Sequence, residues 1–132
     1  MQLKVSTENA RVPVTVVHVD GNIDSASYEA FLSGVEDSIN GGARHVLFDL
    51  SHVPFVSSAG LRALNILLNR LRVLTPDVSD EEMRKGINAG TYKSPHLKLL
   101  NPSKETMTTL ESSGFSMFIE VFHDLKSAVA SF

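Results

Sequence analysis

The sequence contains no cysteine, which excludes disulfides, thiolate metal sites and cysteine nucleophiles. It has no apolar run near the roughly 20 residues of a membrane span. Its opening, MQLKVSTENA, lacks the apolar core of a secretion signal, so a cytoplasmic protein is expected. Basic clusters are missing as well. The formal net charge is −3, which argues against nucleic acid as the main partner. The five histidines are dispersed, and no pair has the His-x-x-x-His spacing of a helical metal site. The Gly41-Gly42 pair has no Walker-type Lys-Ser/Thr after it and reads as a turn. No cofactor and no metal are expected, and there is no internal repeat or low-complexity tract.

What is present suits one soluble domain with a real core: 132 residues, 42% hydrophobic and 20% charged. The organising stretch is Arg44 to Leu74, RHVLFDLSHVPFVSSAGLRALNILLNRLRVL. Val46, Leu47, Phe48 and Leu50 make the near-continuous apolar run of a strand buried on both faces. Ser51, His52 and Pro54 break it. Beyond Ser57 and Ser58, Leu61, Leu64, Leu67, Leu68, Leu71 and Leu74 fall on one helical stripe, with Arg62, Asn65, Asn69 and Arg72 facing away. Ile66 and Val73 lie outside the stripe and allow a second apolar contact. One of the two serines is expected to cap the helix, since a serine oxygen accepts a bond from a free backbone N–H. The other would then be an exposed hydroxyl at the positive end of the helix dipole.

Before this unit, Leu3 and Val5 mark a short strand, Glu8 to Arg11 a turn, and the β-branched run Val12 to Val19 the second strand of a hairpin. Pro13 cannot donate to a ladder and belongs at the strand's start or on an edge. His18, among valines, reads as a solvent-facing or satisfied strand histidine. Gly21 to Asp24 is a turn, with Asp24 or Ser25 capping a helix that is lined by Tyr28, Phe31, Leu32, Val35 and Ile39 and stopped at Asn40-Gly41-Gly42. After Leu74 comes a polar insertion at about 75–95. Ser79-Asp80-Glu81-Glu82 is a capping box, which predicts a short helix from about Asp80 to Lys85 and a flexible loop over Gly86 to Gly90. The insertion is either a tolerated excursion or a partner contact. Leu97, Leu99 and Leu100 form a strand. A helix with Met107 and Leu110 follows and closes at Gly114, then a strand over Phe118 to Phe122, and last a helix capped by Asp124 with Leu125, Ala128, Val129 and Phe132 inward. An opening hairpin followed by strand–helix alternation predicts an α/β fold.

The segment DLSHVPFVSSAGLRAL resembles the signature of the STAS domain, the module of anti-sigma factor antagonists and sulphate transporter tails. Asp49-Leu50 ends the strand, Phe55-Val56 is the apolar pair and Gly60-Leu61 opens the helix. Ser58 falls on the serine that the family phosphorylates. Ser57 stands where the family usually has Asp, and Ala59 where it usually has Ser or Thr. Gly21-Asn22-Ile23-Asp24 resembles the family's Gly-x-Leu/Ile-Asp at the edge of that site. The resemblance spans nearly the whole chain apart from the insertion. It implies a single STAS-like domain over residues 1–132, with a mixed β-sheet of about five strands layered with four to five α-helices. It also implies a protein that binds an anti-sigma factor acting as a serine kinase, and that a serine phosphatase resets. In this reading Ser58 is the phosphorylation site, with Ser57 as helix cap and secondary acceptor. Asn22, Asp24, Val53, Pro54, Phe55, Ser57, Gly60 and Arg62 form the partner surface. The second reading keeps the fold and drops the switch, giving a constitutive interaction module of a signalling scaffold or a lipid-transport complex. A transporter tail is disfavoured, since the chain starts at Met1 and has no membrane part. The sequence leaves a homodimer open.

An enzyme is not expected. A hydrolase built from Asp49, His52 and Ser58 would crowd all three groups into one short segment without the Gly-x-Ser-x-Gly elbow.

Overall fold

The opening hairpin forms where β-branched residues and Pro13 favour it. In a computed structural model, β1 (Gln2–Asn9) pairs antiparallel with β2 (Pro13–Asp20), and Pro13 is the first residue of β2, opposite Asn9. β1 runs on through Glu8 and Asn9, so the turn falls later than the sequence suggested. The structure describes residues 1–76, 79–90 and 92–132. Among these, β3 (Val46–His52), β4 (Leu97–Leu100) and β5 (Val121–Phe122) each join in parallel, giving a five-stranded mixed sheet in the order β1-β2-β3-β4-β5.

Alternation along the strands builds two cores. Val17, Val19, Val46, Phe48, Leu50, Leu97 and Leu99 point to one face. There they meet α1 (Tyr28–Asn40), α2 (Ser58–Leu74) and α4 (Lys104–Ser112) through Phe31, Val35 and Ile39, Leu64, Leu67, Leu68 and Leu71, and Leu110. Val14, Val16, Leu47 and Leu100 point the other way, against Ala128 and Val129 of α5 (Leu125–Ala130). Buried Lys98 fixes α5 from below: its ammonium donates to the Ser131 carbonyl at 3.0 Å, pairs with Glu120 at 3.2 Å and sits over the Phe132 ring.

Several boundaries depart from expectation. β3 continues through Ser51 and His52 before it stops. The leucine stripe of α2 ends at Leu71; Leu74 is exposed and Val73 is 71% exposed, so the second apolar contact is not made there. The helix within the insertion, α3 (Asp80–Ala89), is longer than expected. Ser79 caps it by accepting from the Glu82 N–H at 3.1 Å, and Gly90 closes it at φ 73°. Gly86 therefore lies in a helix rather than a loop, and the Tyr92 backbone crosses against it, donating to the Gly86 carbonyl at 3.1 Å. The parts of the 75–95 insertion at Asp77, Val78 and Thr91 lie outside the described residues. The last strand is short. Gly114, at φ 79°, turns the chain into a 3-10 turn over Phe115–Met117 that sends Phe115 and Ile119 into the core.

Candidate functional site

The signature loop is tied to the turn after β2. Gly21 N–H donates to the His52 carbonyl (3.0 Å), Ile23 N–H to Phe55 (3.1 Å) and Ser57 N–H to the Ile23 carbonyl (2.9 Å), while Ile23 and Val56 form a parallel bridge. The two segments therefore continue the β2–β3 pairing beyond the regular strands. Gly60 completes the joint. A methyl group on its Cα would collide with the Ile23 carbonyl oxygen and lie 2.7 Å from Val56 Cγ1. That contact requires glycine, because the nearest obstacle is backbone and cannot rotate aside.

Ser57 is the N-cap of α2: its backbone is extended and its hydroxyl accepts from Gly60 N–H at 3.3 Å. Ser58 is the first helical residue and is exposed, and its hydroxyl makes no hydrogen bond among the described residues. Arg62 is exposed one turn further along the same side of the helix. Pro54 is exposed, and Phe55 is 44% exposed. Ser103, the cap of α4, donates to the Pro54 carbonyl at 3.0 Å and so steadies that corner from β4's side.

Two residues expected on the partner surface lie elsewhere. Val53 is 2% exposed and packs in the larger core, so it cannot anchor a partner; Gly60 is buried against Ile23. Asp24 does not cap α1 through its side chain. It closes a turn instead: its Oδ1 accepts from the N–H groups of Ala26 (3.0 Å) and Ser27 (3.1 Å), and Ser27 is the N-cap position of α1. The Ser27 hydroxyl donates to the Asn22 carbonyl at 2.7 Å. Asn22 itself is exposed, beside a shallow hollow of about 350 Å³ lined by Met1, Asn22, Asp24, Ala26, Ser27 and Ala30.

On the opposite face of the sheet a polar network crosses the same strand ends. Asp49 Oδ2 and His18 Nδ1 are 2.8 Å apart; the carboxylate only accepts, so the ring nitrogen donates. Asp49 Oδ1 takes the Ser51 N–H (3.0 Å) and hydroxyl, and Asn101 reaches the Ser51 oxygen at 3.4 Å. Burial works to raise the Asp49 pKa, but the bonds from Ser51 and His18 outweigh it and hold the carboxyl below its ordinary range. His18 is thus a satisfied strand histidine, bonded to the aspartate of the signature. Spacing could not show this, since the two residues meet only through the parallel pairing of β2 with β3, in which they stand opposite each other. Among the described residues no hydrogen bond joins Asp49 to His52 or Ser58.

A family model described as "STAS domain" matches residues 4–75, more than half of the chain. The chain belongs to the STAS domain family. No curated protein matches it in sequence. Solved structures show the same fold at low identity. An anti-sigma factor antagonist from Mycobacterium paratuberculosis superposes with a TM-score of 0.68 at 17% identity, over 98% of this chain and 93% of its own. The Bacillus anti-sigma factor antagonist SpoIIAA, in its unphosphorylated form, gives 0.67 at 16%, over 96% and 93%. A sulfate transporter family protein from Wolinella succinogenes gives 0.56 at 20%, over 89% and 82%. In this STAS chain the start of α2 reads Ser57-Ser58-Ala59-Gly60, with the cap and the exposed hydroxyl on adjacent residues.

Proposed function

We propose that this STAS protein is an anti-sigma factor antagonist switched by phosphorylation of Ser58. It is a single domain over residues 1–132 that acts in the cytoplasm as a binding protein rather than an enzyme. The observation that carries the reading is the division of labour at the start of α2. Ser57 is occupied as the cap, which leaves the Ser58 hydroxyl exposed and, among the described residues, unbonded on the matching residue of the signature. The partner is an anti-sigma factor with serine kinase activity, and a serine phosphatase resets the site. The contact surface is Asn22, Pro54, Phe55, Ser57, Ser58 and Arg62, with Asp24 holding the turn from beneath.

Phosphorylation adds about −1.5 to −2 charges at this surface. The α2 N-terminus and Arg62 favour the phosphate within the free protein. A partner that buries Phe55 beside it meets the desolvation cost of a dianion. A penalty of only about 2.7 kcal/mol weakens binding a hundredfold. Intact-mass spectrometry of protein purified from its own cells, before and after phosphatase, is the test. The expected result is one phosphate, removed by phosphatase and absent from Ser58→Ala. A persistently unmodified protein in the presence of active cognate kinase overturns the switch.

A second reading has its own support. Ser57 replaces the usual acidic residue, and its oxygen is already engaged with Gly60. A constitutive interaction module, in a signalling scaffold or lipid-transport complex, fits that substitution. It predicts partner binding unaffected by ATP.

A further inference from the structure

β1 is the least covered element of the fold. It is eight residues long, and all of them except Leu3 are exposed. It stands at the end of the sheet and, among the described residues, is paired only with β2. At about 3.4 Å per residue its free edge runs for roughly 27 Å. Such an edge offers unpaired N–H and C=O groups to another strand, and proteins normally blunt it with proline, bulges or repeated like charge. β1, QLKVSTEN, has no proline or glycine, and its two charges are of opposite sign. The β5 edge, by contrast, is two residues long.

The order of residues along β1 says what fits it. Gln2, Lys4, Ser6 and Glu8 share one face, and Leu3, Val5, Thr7 and Asn9 the other. We infer that β1 pairs antiparallel with β1 of a second copy of this chain, about a two-fold axis at Ser6. Lys4 then stands opposite Glu8 of the second copy, and symmetry repeats the pair. Val5 stands opposite Thr7 on the other face, twice, and Ser6 meets Ser6. Opposite charges and β-branched pairs are favourable cross-strand neighbours. Sliding the register by two residues either way sets Lys4 against Ser6 or Ala10 and loses both charge pairs. A parallel in-register pairing sets Lys4 beside Lys4 and Glu8 beside Glu8. The self-complementary arrangement is the isologous contact of a closed dimer.

The two sheets become one across the seam. Gln2 pairs with Asp20, so β1 begins beside the Asn22–Asp24 turn. The antiparallel seam therefore puts the two signature loops at its opposite ends, with both open to partners. The inference goes beyond the Ser58 switch and does not depend on it.

Sedimentation equilibrium over a range of concentrations tests it. The expected mass approaches twice 14.4 kDa as concentration rises. Lys4→Glu or Glu8→Lys raises the dissociation constant by about tenfold or more, and the double swap Lys4→Glu/Glu8→Lys restores it. These side chains are exposed, so the variants fold. Because the chain has no cysteine, Ser6→Cys places one thiol at the axis. Directly opposed residues in an antiparallel pair lie about 4.5–5.5 Å apart at Cα, within disulfide reach. Ser6→Cys should be trapped as a covalent dimer on mild oxidation, while Val73→Cys, on the far helix, should not. A 14.4 kDa species at every concentration overturns the inference. So does a dimer indifferent to the single swaps, or one that the double swap does not restore.

Discussion

β3 is paired on both edges and covered on both faces, whereas β1 is paired on one edge and covered on scarcely any of its surface. Both are hydrogen-bonded to β2 over most of their length. The difference shows that a shared ladder does not mean a shared role. β3 carries the packing of both cores and delivers the signature loop. β1 contributes backbone pairing and, apart from Leu3 against the larger core and Ser6 beside the His18 ring, leaves its side chains and outer edge available.

Substitutions should separate the two strands sharply. Phe48 is fully buried, with its ring 5.5 Å from that of Phe31. Phe48→Ala should lower stability by about 3–5 kcal/mol in urea unfolding, through lost burial and the cavity left behind. Gly60→Ala comes next, at about 1–3 kcal/mol, because the new methyl must displace the Ile23 carbonyl as well as the buried Val56 side chain. The expected signature is local as well: faster amide exchange at Ile23 and Ser57, whose pairing holds the loop to the turn. Equal protection in variant and parent would show that the joint tolerates a side chain. Val5→Ala, on the exposed strand, should change the stability of dilute protein by no more than about 0.5 kcal/mol. A larger loss there would mean that β1 is packed against something in solution.

The fold was legible where pattern and burial agree. The apolar run of β3, the β-branched run of β2, the cap of α2 and its leucine stripe as far as Leu71, and the Asp124 cap of α5 all rest on local rules that the tertiary structure leaves undisturbed. Misreadings arose where a neighbour distant in sequence decides. Gly86 looks like a helix breaker, but in α3 it makes room for Tyr92, whose Cβ lies 2.9 Å from the position a side chain there would take. Val53 looks like an exposed loop residue because it sits between His52 and Pro54, yet the chain folds it under the sheet's end. Asp24 looks like a helix cap, but Ser27 takes that position while the carboxylate closes the turn before it. At the candidate site, Ser57 and Ser58 were legible as cap and exposed hydroxyl. The His18–Asp49–Ser51–Asn101 network was not, because it depends on strand register and on a residue beyond β4.

The pairing of the Gly21–Ile23 turn with the His52–Ser57 loop has a kinetic consequence. A surface held by backbone bonds before any partner arrives loses little conformational freedom on binding. Recognition at the proposed site would then proceed without a folding step, and a change of charge at Ser58 would act as soon as it is made. For the proposed Ser58 switch, the response time would then be set by the enzymes that write and erase the mark and by the lifetime of the complex, rather than by any rearrangement of the protein that carries it.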